Sequence, residues 1–333
     1  MLRHVLLGVA LAALAACSSS GGAAPAGDAA DARVGEIRGA DVWKDGLVLT
    51  GTVTIAAGAD VEIAPGATIT CAAGAALFVA GTLHARAASA HARITCERWA
   101  GLVVSAGGRV DLEGVELENG TLGLGMATGA SASTFTDGAI LGSLKPLTLA
   151  PSTKLGIAKS KLSTPVKVAA EDISVSAIEG ALVASRIDYD ANGNEGISVK
   201  KGGELDLQDS TFHGKNAQDL VSAYGAKHLK IAYSTFLGAH CGLHVQPSES
   251  FEIDHVTSDS NVYGVTIYGS GDGPNTVTAS NFTGSAAWLD FQGDNGAITF
   301  DGVYTNGSEV LIGGPVPKVA NKATSPIRDA KPR

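Results

Sequence analysis

The sequence predicts an all-β chain wound as a parallel β-helix of about 11 or 12 coils, and three observations carry that reading. A frame Φ-x-x-Ser-x-Φ, with Φ apolar, returns along the chain in steps of 18 to 27 residues. The chain has 43 glycines, and Val, Ile and Leu alternate with polar residues over short runs, which is the pattern of strands between tight turns. No amphipathic run of 3.6-residue period and useful length occurs after the first residues.

The frame is clearest at Leu207-x-x-Ser210-x-Phe212. It recurs with serine at Ser133, Ser160, Ser185, Ser234 and Ser280, and in degenerate form from Leu112, Ile253 and Ile298. Read physically, each coil of a right-handed solenoid climbs one strand spacing, ~4.8 Å. The flanking apolar residues point inward and stack on their counterparts. The serine lies at a bend, where its hydroxyl satisfies a buried backbone group or the serine one coil away. No coil buries its own apolar face, so stability comes from neighbours. A leucine-rich repeat would carry L-x-x-L-x-L-x-x-N and helical halves, and neither is present. A β-sandwich would leave the frame unexplained.

The N-terminal coils add a resemblance. Gly51 to Ile69 reads GTVTIAAGADVEIAPGATI, and Gly81-Thr82-Leu83 and Trp99-Ala100-Gly101-Leu102 continue it. This resembles the opening coils of bacterial surface proteins of the right-handed β-helix, or pectate-lyase-like, superfamily. The resemblance covers most of residues 40–312. It implies the fold and says little about chemistry, because enzymes and adhesins share the scaffold.

The ends have a different character. Arg3 and His4 precede an apolar run of 11 residues, Leu6 to Ala16, too short to span a bilayer, which takes about 20. It reads as a signal-peptide core over residues 1–16. Leu14-Ala15-Ala16-Cys17 resembles the lipobox of bacterial lipoproteins, which implies cleavage before Cys17 and acylation of its thiol. The expected partner is therefore a membrane, reached through lipid. Ser18 after the cysteine favours the outer over the inner membrane. Residues 17–33 read as the lipidated cysteine and a flexible tether, 34–314 as the β-helix, and 315–333, with four prolines and five Lys or Arg, as a disordered basic tail.

Without Arg3 the chain carries 23 basic and 33 acidic side chains, a formal −10. That sign excludes nucleic acid as a partner. Ile69-Thr70-Cys71 and Ile94-Thr95-Cys96 are the same tripeptide 25 residues apart. Stacked on adjacent coils, the two cysteines fall within disulfide reach, so they are either a disulfide candidate or two separate buried thiols. Cys241 has no evident partner.

Asp188-x-Asp190-x-Asn192-Gly193 matches the first half of a calcium loop, since alternating oxygens on a tight turn converge on a hard cation. The twelfth position is Val199 rather than glutamate. The motif is therefore either a polar turn or a calcium site completed by Glu195 or a neighbouring coil. No other cofactor is expected. Arg186, two residues earlier, is the catalytic candidate if the chain is a polysaccharide lyase, whose chemistry in this superfamily pairs calcium with an Arg or Lys base. His240-Cys241-x-x-His244 has metal-ligand residue types, but no second pair follows, and it reads as surface histidines around a buried cysteine.

Alternation places Leu243, Val245, Val265, Ile267, Leu289 and Phe291 inside. Their neighbours His244, Gln246, Thr266, Tyr268, Trp288, Asp290 and Gln292 then point out in columns, a surface suited to sugar rings. The expectation is a cell-envelope lipoprotein that binds or scaffolds, with a glycan or a surface protein as ligand. The alternatives are a lyase or hydrolase acting on acidic polysaccharide, and a rigid spacer without a ligand site.

Overall fold

The computed structural model describes residues 31–86, 90–167, 174–246, 249–269, 271–292, 298–306, 309–312 and 319–333. The leader, Cys17 and nearly all of the tether lie outside the described residues. Among the described residues there is no helix, and none therefore long and apolar enough to cross a membrane.

The chain winds as a solenoid of about 11 turns, and every strand pairing in it is parallel. Each coil contributes to three sheets, and each sheet stacks one inward column of apolar residues. Val53, Leu77, Leu102, Leu124 and Leu147 form one column. Val61, Leu83 and Val110 begin a second. Ile69, Ile94, Leu117, Ile140, Leu162, Tyr189, Phe212 and Phe236 form the third. All these side chains are buried. In the third column the rings of Tyr189, Phe212 and Phe236 stack at 5.3 and 5.1 Å between centroids, a geometry that adds dispersion to apolar burial. Tight turns between sheets carry glycines at φ near +80°, such as Gly58 and Gly202, where a side chain would be strained.

The serine frame has a structural meaning sharper than its sequence pattern. Ser160, Ser210, Ser234 and Ser280 occupy one column, shared with Gly138, Ile187, Val256 and Val303 on the other coils. The residue before each position bends the chain with positive φ: Asp137, Lys159, Arg186, Asp209, Tyr233, His255, Ala279 and Gly302. Each of the four serine hydroxyls donates to the carbonyl two residues back, at 2.6 to 2.8 Å. All four also accept the amide of the column residue one coil below: Ser210 that of Ile187, Ser234 that of Ser210, Ser160 that of Gly138. Ser280 likewise accepts from Val256. The bend interrupts the backbone ladder, and the hydroxyl restores both ends of it.

Two serines of the frame stand elsewhere. Ser185 precedes the bend residue Arg186, so Ile187 takes the slot. Ser133 falls in a different column, paired with Leu155, although it too accepts an amide, that of Val110.

Cys71 and Cys96 are opposed on adjacent coils, with Cα atoms 4.8 Å apart, and are joined as a disulfide. The expectation of a disordered tail is corrected for residues 319–333. Val319–Ala320 adds a last strand to one sheet. Residues 327–333 then run back along the outer corner of the bends. Asn281 exchanges hydrogen bonds with both backbone groups of Ile327. Thr257 donates to the carbonyl of Ala330, and the Arg333 guanidinium lies 3.3 Å above the Tyr233 ring. A basic, proline-rich composition reads as unable to fold alone, and here a preformed corner supplies the partners.

Candidate functional site

Four long strands, Thr211–Ala223, Thr235–Val245, Thr257–Tyr268 and Asn281–Gln292, run through a bend between two sheets. On the far side of that bend Leu243, Val245, Val265, Ile267, Leu289 and Phe291 all lie in the core. Between them, Ser222, His244, Thr266 and Asp290 form one outward column. Tyr268 and Gln292 continue the next, and Gln246 stands in it one coil below Tyr268.

The outward columns are knitted together. The His244 ring meets Tyr224 on one side and Tyr268 on the other, both edge-on, at 5.6 and 5.0 Å. Tyr268 donates its hydroxyl to Asp290 Oδ2 at 2.7 Å and accepts from Gln292 Nε2 at 3.3 Å. Burial, then the Asp290 carboxylate, raises the Tyr268 hydroxyl above its ordinary pKa. Gln292 is exposed, His244, Gln246 and Tyr268 are half-buried, and Thr266 and Asp290 are covered.

Trp288 does not join this face. It is buried and meets Phe300 edge-on at 5.9 Å. The reason is the bend. Cys241 pairs with Tyr263 and Tyr263 with Ala287, while Leu243, Val265 and Leu289 pair in turn. Trp288 thus stands above Gly264 and Gly242, in a position where two successive residues turn inward. A Cβ on Gly242 would run into Ser258 and Asn261 in the interior. Strict alternation, sound along a straight strand, fails at that corner.

Beneath the face lies a polar cluster. Asp219 is opposed to Cys241 one coil above. Cys241 and His244 flank the inward pair Gly242–Leu243, so the bend brings their side chains to the same side. Asp219 Oδ2 lies 3.0 Å from His244 Nδ1 and 3.3 Å from the Tyr224 hydroxyl, which donates to it. Cys241 Sγ lies 3.3 Å from Thr266 Oγ1 and 3.4 Å from His240 Nδ1. Asp219 and Cys241 are each 3% exposed.

The electrostatics of this cluster are negative. Burial pushes the Cys241 thiol up to about 12 against the opposing hydrogen bond from Thr266, and Asp219 and Asp290 add to the rise. Tyr224 is pushed up to about 12 by burial, then by Asp219 and Glu195. Glu195 is raised by burial and then by Asp219; the amide of its neighbour Gly196 donates to the Asp219 carbonyl at 3.0 Å. A shallow groove over the adjoining turns reaches Tyr224 and is bordered by Lys201, Glu204, Lys227 and His228. The Lys227–Glu204 ion pair, at 2.6 Å, links two of its turns.

The half calcium loop is used differently. Lys215 Nζ lies 2.6 Å from Asp190 Oδ2 and 2.9 Å from Asn192 Oδ1, so an ammonium stands between the two oxygens. Asn192 also donates to the carbonyl of Thr164. Asp188 is exposed, with His213 Nε2 3.6 Å from its carboxylate. Arg186 is exposed on its left-handed bend, and the Lys215 ammonium is held by Asp190 and Asn192.

The trio of Asp219, Cys241 and His244 was only half legible in the sequence. His240-Cys241-x-x-His244 shows two of its members, and reading them as surface histidines around a buried thiol misses the third. Asp219 precedes Cys241 by 22 residues, one coil, and that spacing is the signal that locates it.

No curated protein and no solved structure matches the chain. Residues 166–311 match the family model described as a right-handed β-helix region. The match covers the coils that carry Ser210, Ser234 and Ser280 of the serine column and the outward face. With the all-parallel register of three stacked sheets, it identifies this chain's fold as a right-handed parallel β-helix.

Proposed function

We propose that this chain is a cell-envelope lipoprotein, anchored through Cys17 with the outer membrane as its site, whose β-helix binds a glycan along the outward face of its last coils. The observation that carries the reading is the row Gln246, Tyr268 and Gln292 on successive coils, backed by His244 and Asp290. Amide and hydroxyl groups repeat there at one strand spacing, ~4.8 Å. The half-buried Tyr268 ring offers an apolar surface with a polar tip. The hydrogen bonds to Asp290 and Gln292 hold that ring in place before any ligand arrives, which lowers the ordering cost of binding.

The leader pattern and lipobox-like residues support the anchor. Labelling with a fatty-acid analogue is expected to mark the wild-type chain and to be lost in Cys17→Ser. Glycan binding is tested by titrating neutral and acidic envelope polysaccharides into the protein. Tyr268→Ala and Gln292→Ala should each weaken binding by about tenfold, the scale of one lost contact. Binding that survives both changes, or saturation by none of the polysaccharides, sinks the reading. Saturable binding of a surface protein instead would replace the glycan.

A further inference from the structure

Two atoms in the cluster below this face have no hydrogen-bond partner among the described residues although both are buried: Asp219 Oδ1 and His244 Nε2. Asp219 as a whole is 3% exposed. A buried carboxylate oxygen left unpaired is costly. One donor atom from each of Asp219, Cys241 and His244 lies within 4.8 Å of the others. Carboxylate, thiolate and imidazole together are a zinc-type ligand set, and a thiolate disfavours calcium or magnesium. Zinc with nitrogen, oxygen and sulfur donors places them about 3.3–3.8 Å apart. Asp219 Oδ2 and His244 Nδ1 stand 3.0 Å apart as a hydrogen-bonded pair.

We propose that Asp219, Cys241 and His244 form a binding site for a divalent transition metal of the zinc class. On binding, the Cys241 thiol releases its proton to solvent and its sulfur bonds the metal, with no change of oxidation state. The Asp219 and Cys241 anions balance the dication, and His244 binds as the neutral imidazole. Three protein ligands leave a fourth position for water or an external donor. Tyr224 donates to Asp219 and Thr266 contacts Cys241, so both orient ligands without touching the metal. The surrounding carboxylates Glu195 and Asp290 favour a cation at this place.

The test is independent of any glycan. The full chain, stripped with chelator and dialysed, is titrated with cobalt(II), then with zinc in competition. The expected result is one cobalt per chain, a thiolate-to-cobalt charge-transfer absorption, and zinc displacement with a dissociation constant of about a micromolar or tighter. Cys241→Ser should abolish that absorption and weaken zinc at least about 100-fold, with the β circular dichroism unchanged. Tyr224→Phe should weaken zinc about tenfold, and His213→Ala, on a distant turn, should leave it unchanged. If Cys241→Ser fails to fold, His244→Gln supplies the affinity comparison, weakening zinc by about 100-fold while the thiolate absorption at saturating cobalt remains. Absence of saturable cobalt binding overturns the proposal. So does an absorption that persists in Cys241→Ser, which would assign it to another thiol.

Discussion

Ser210 donates its hydroxyl to the carbonyl of Gln208 at 2.7 Å and accepts the amide of Ile187 at 3.1 Å. Both backbone groups lie beside a left-handed bend, where the parallel ladder cannot reach them. Ser210→Ala strands both, and the expected cost is about 1–3 kcal/mol. Ser185 carries the same sequence frame but stands outside the column, half-buried. Ser185→Ala should change stability by less than about 0.5 kcal/mol. Denaturant midpoints of the two variants decide this, and equal losses would refute the role given to the column. The frame was legible as a repeat. Which of its serines reach the interior was not, because that depends on the residue that adopts positive φ. Asp209, Tyr233 and Ala279 do so before a serine, and Arg186 does so before Ile187.

At the scale of elements, neighbouring coils depend on one another. The Cys71–Cys96 disulfide closes a loop of 25 residues between adjacent coils, which corresponds to about 2–4 kcal/mol of constraint on the unfolded chain. In a solenoid that loss stays largely with the coils concerned. Cys71→Ala with Cys96→Ala is therefore expected to speed hydrogen exchange in Val48–Ile55 and Ala92–Trp99 and to leave Thr235–Val245 unchanged. Uniform acceleration along the whole chain would contradict the nearest-neighbour picture. The same logic explains the site. Its long strands each turn a bend, and the bend brings Cys241 and His244 to one side while stacking supplies Asp219 from below.

For the whole molecule, residues 327–333 tie the outer corner of three coils together through Asn281, Thr257, His255 and Tyr233. Deleting residues 321–333 is expected to lower the melting temperature by about 2 °C or more and to expose the corner amides to exchange. A variant that melts with the full chain would show that the corner is stable without this strap. The face and the cluster lie on a different column from the strap, so the deletion should leave metal and glycan titrations unchanged.

The sequence by itself determined the solenoid, the coil length, the inward columns and the stacking of Cys71 on Cys96. These follow from periodicity, because a repeat that buries its apolar face only against itself allows few arrangements. The outward assignment of His244, Gln246, Tyr268 and Gln292 also follows from alternation along straight strand. Only the tertiary structure decided the corners. There Trp288 turns into the core beside Gly264, Lys215 stands between Asp190 and Asn192, and residues 327–333 fold onto a surface made by other coils. The physical reason is common to all three. Alternation and spacing are properties of one chain segment, whereas a bend, an ion pair across coils and a docked terminal segment are set by groups that meet only once the coils are stacked.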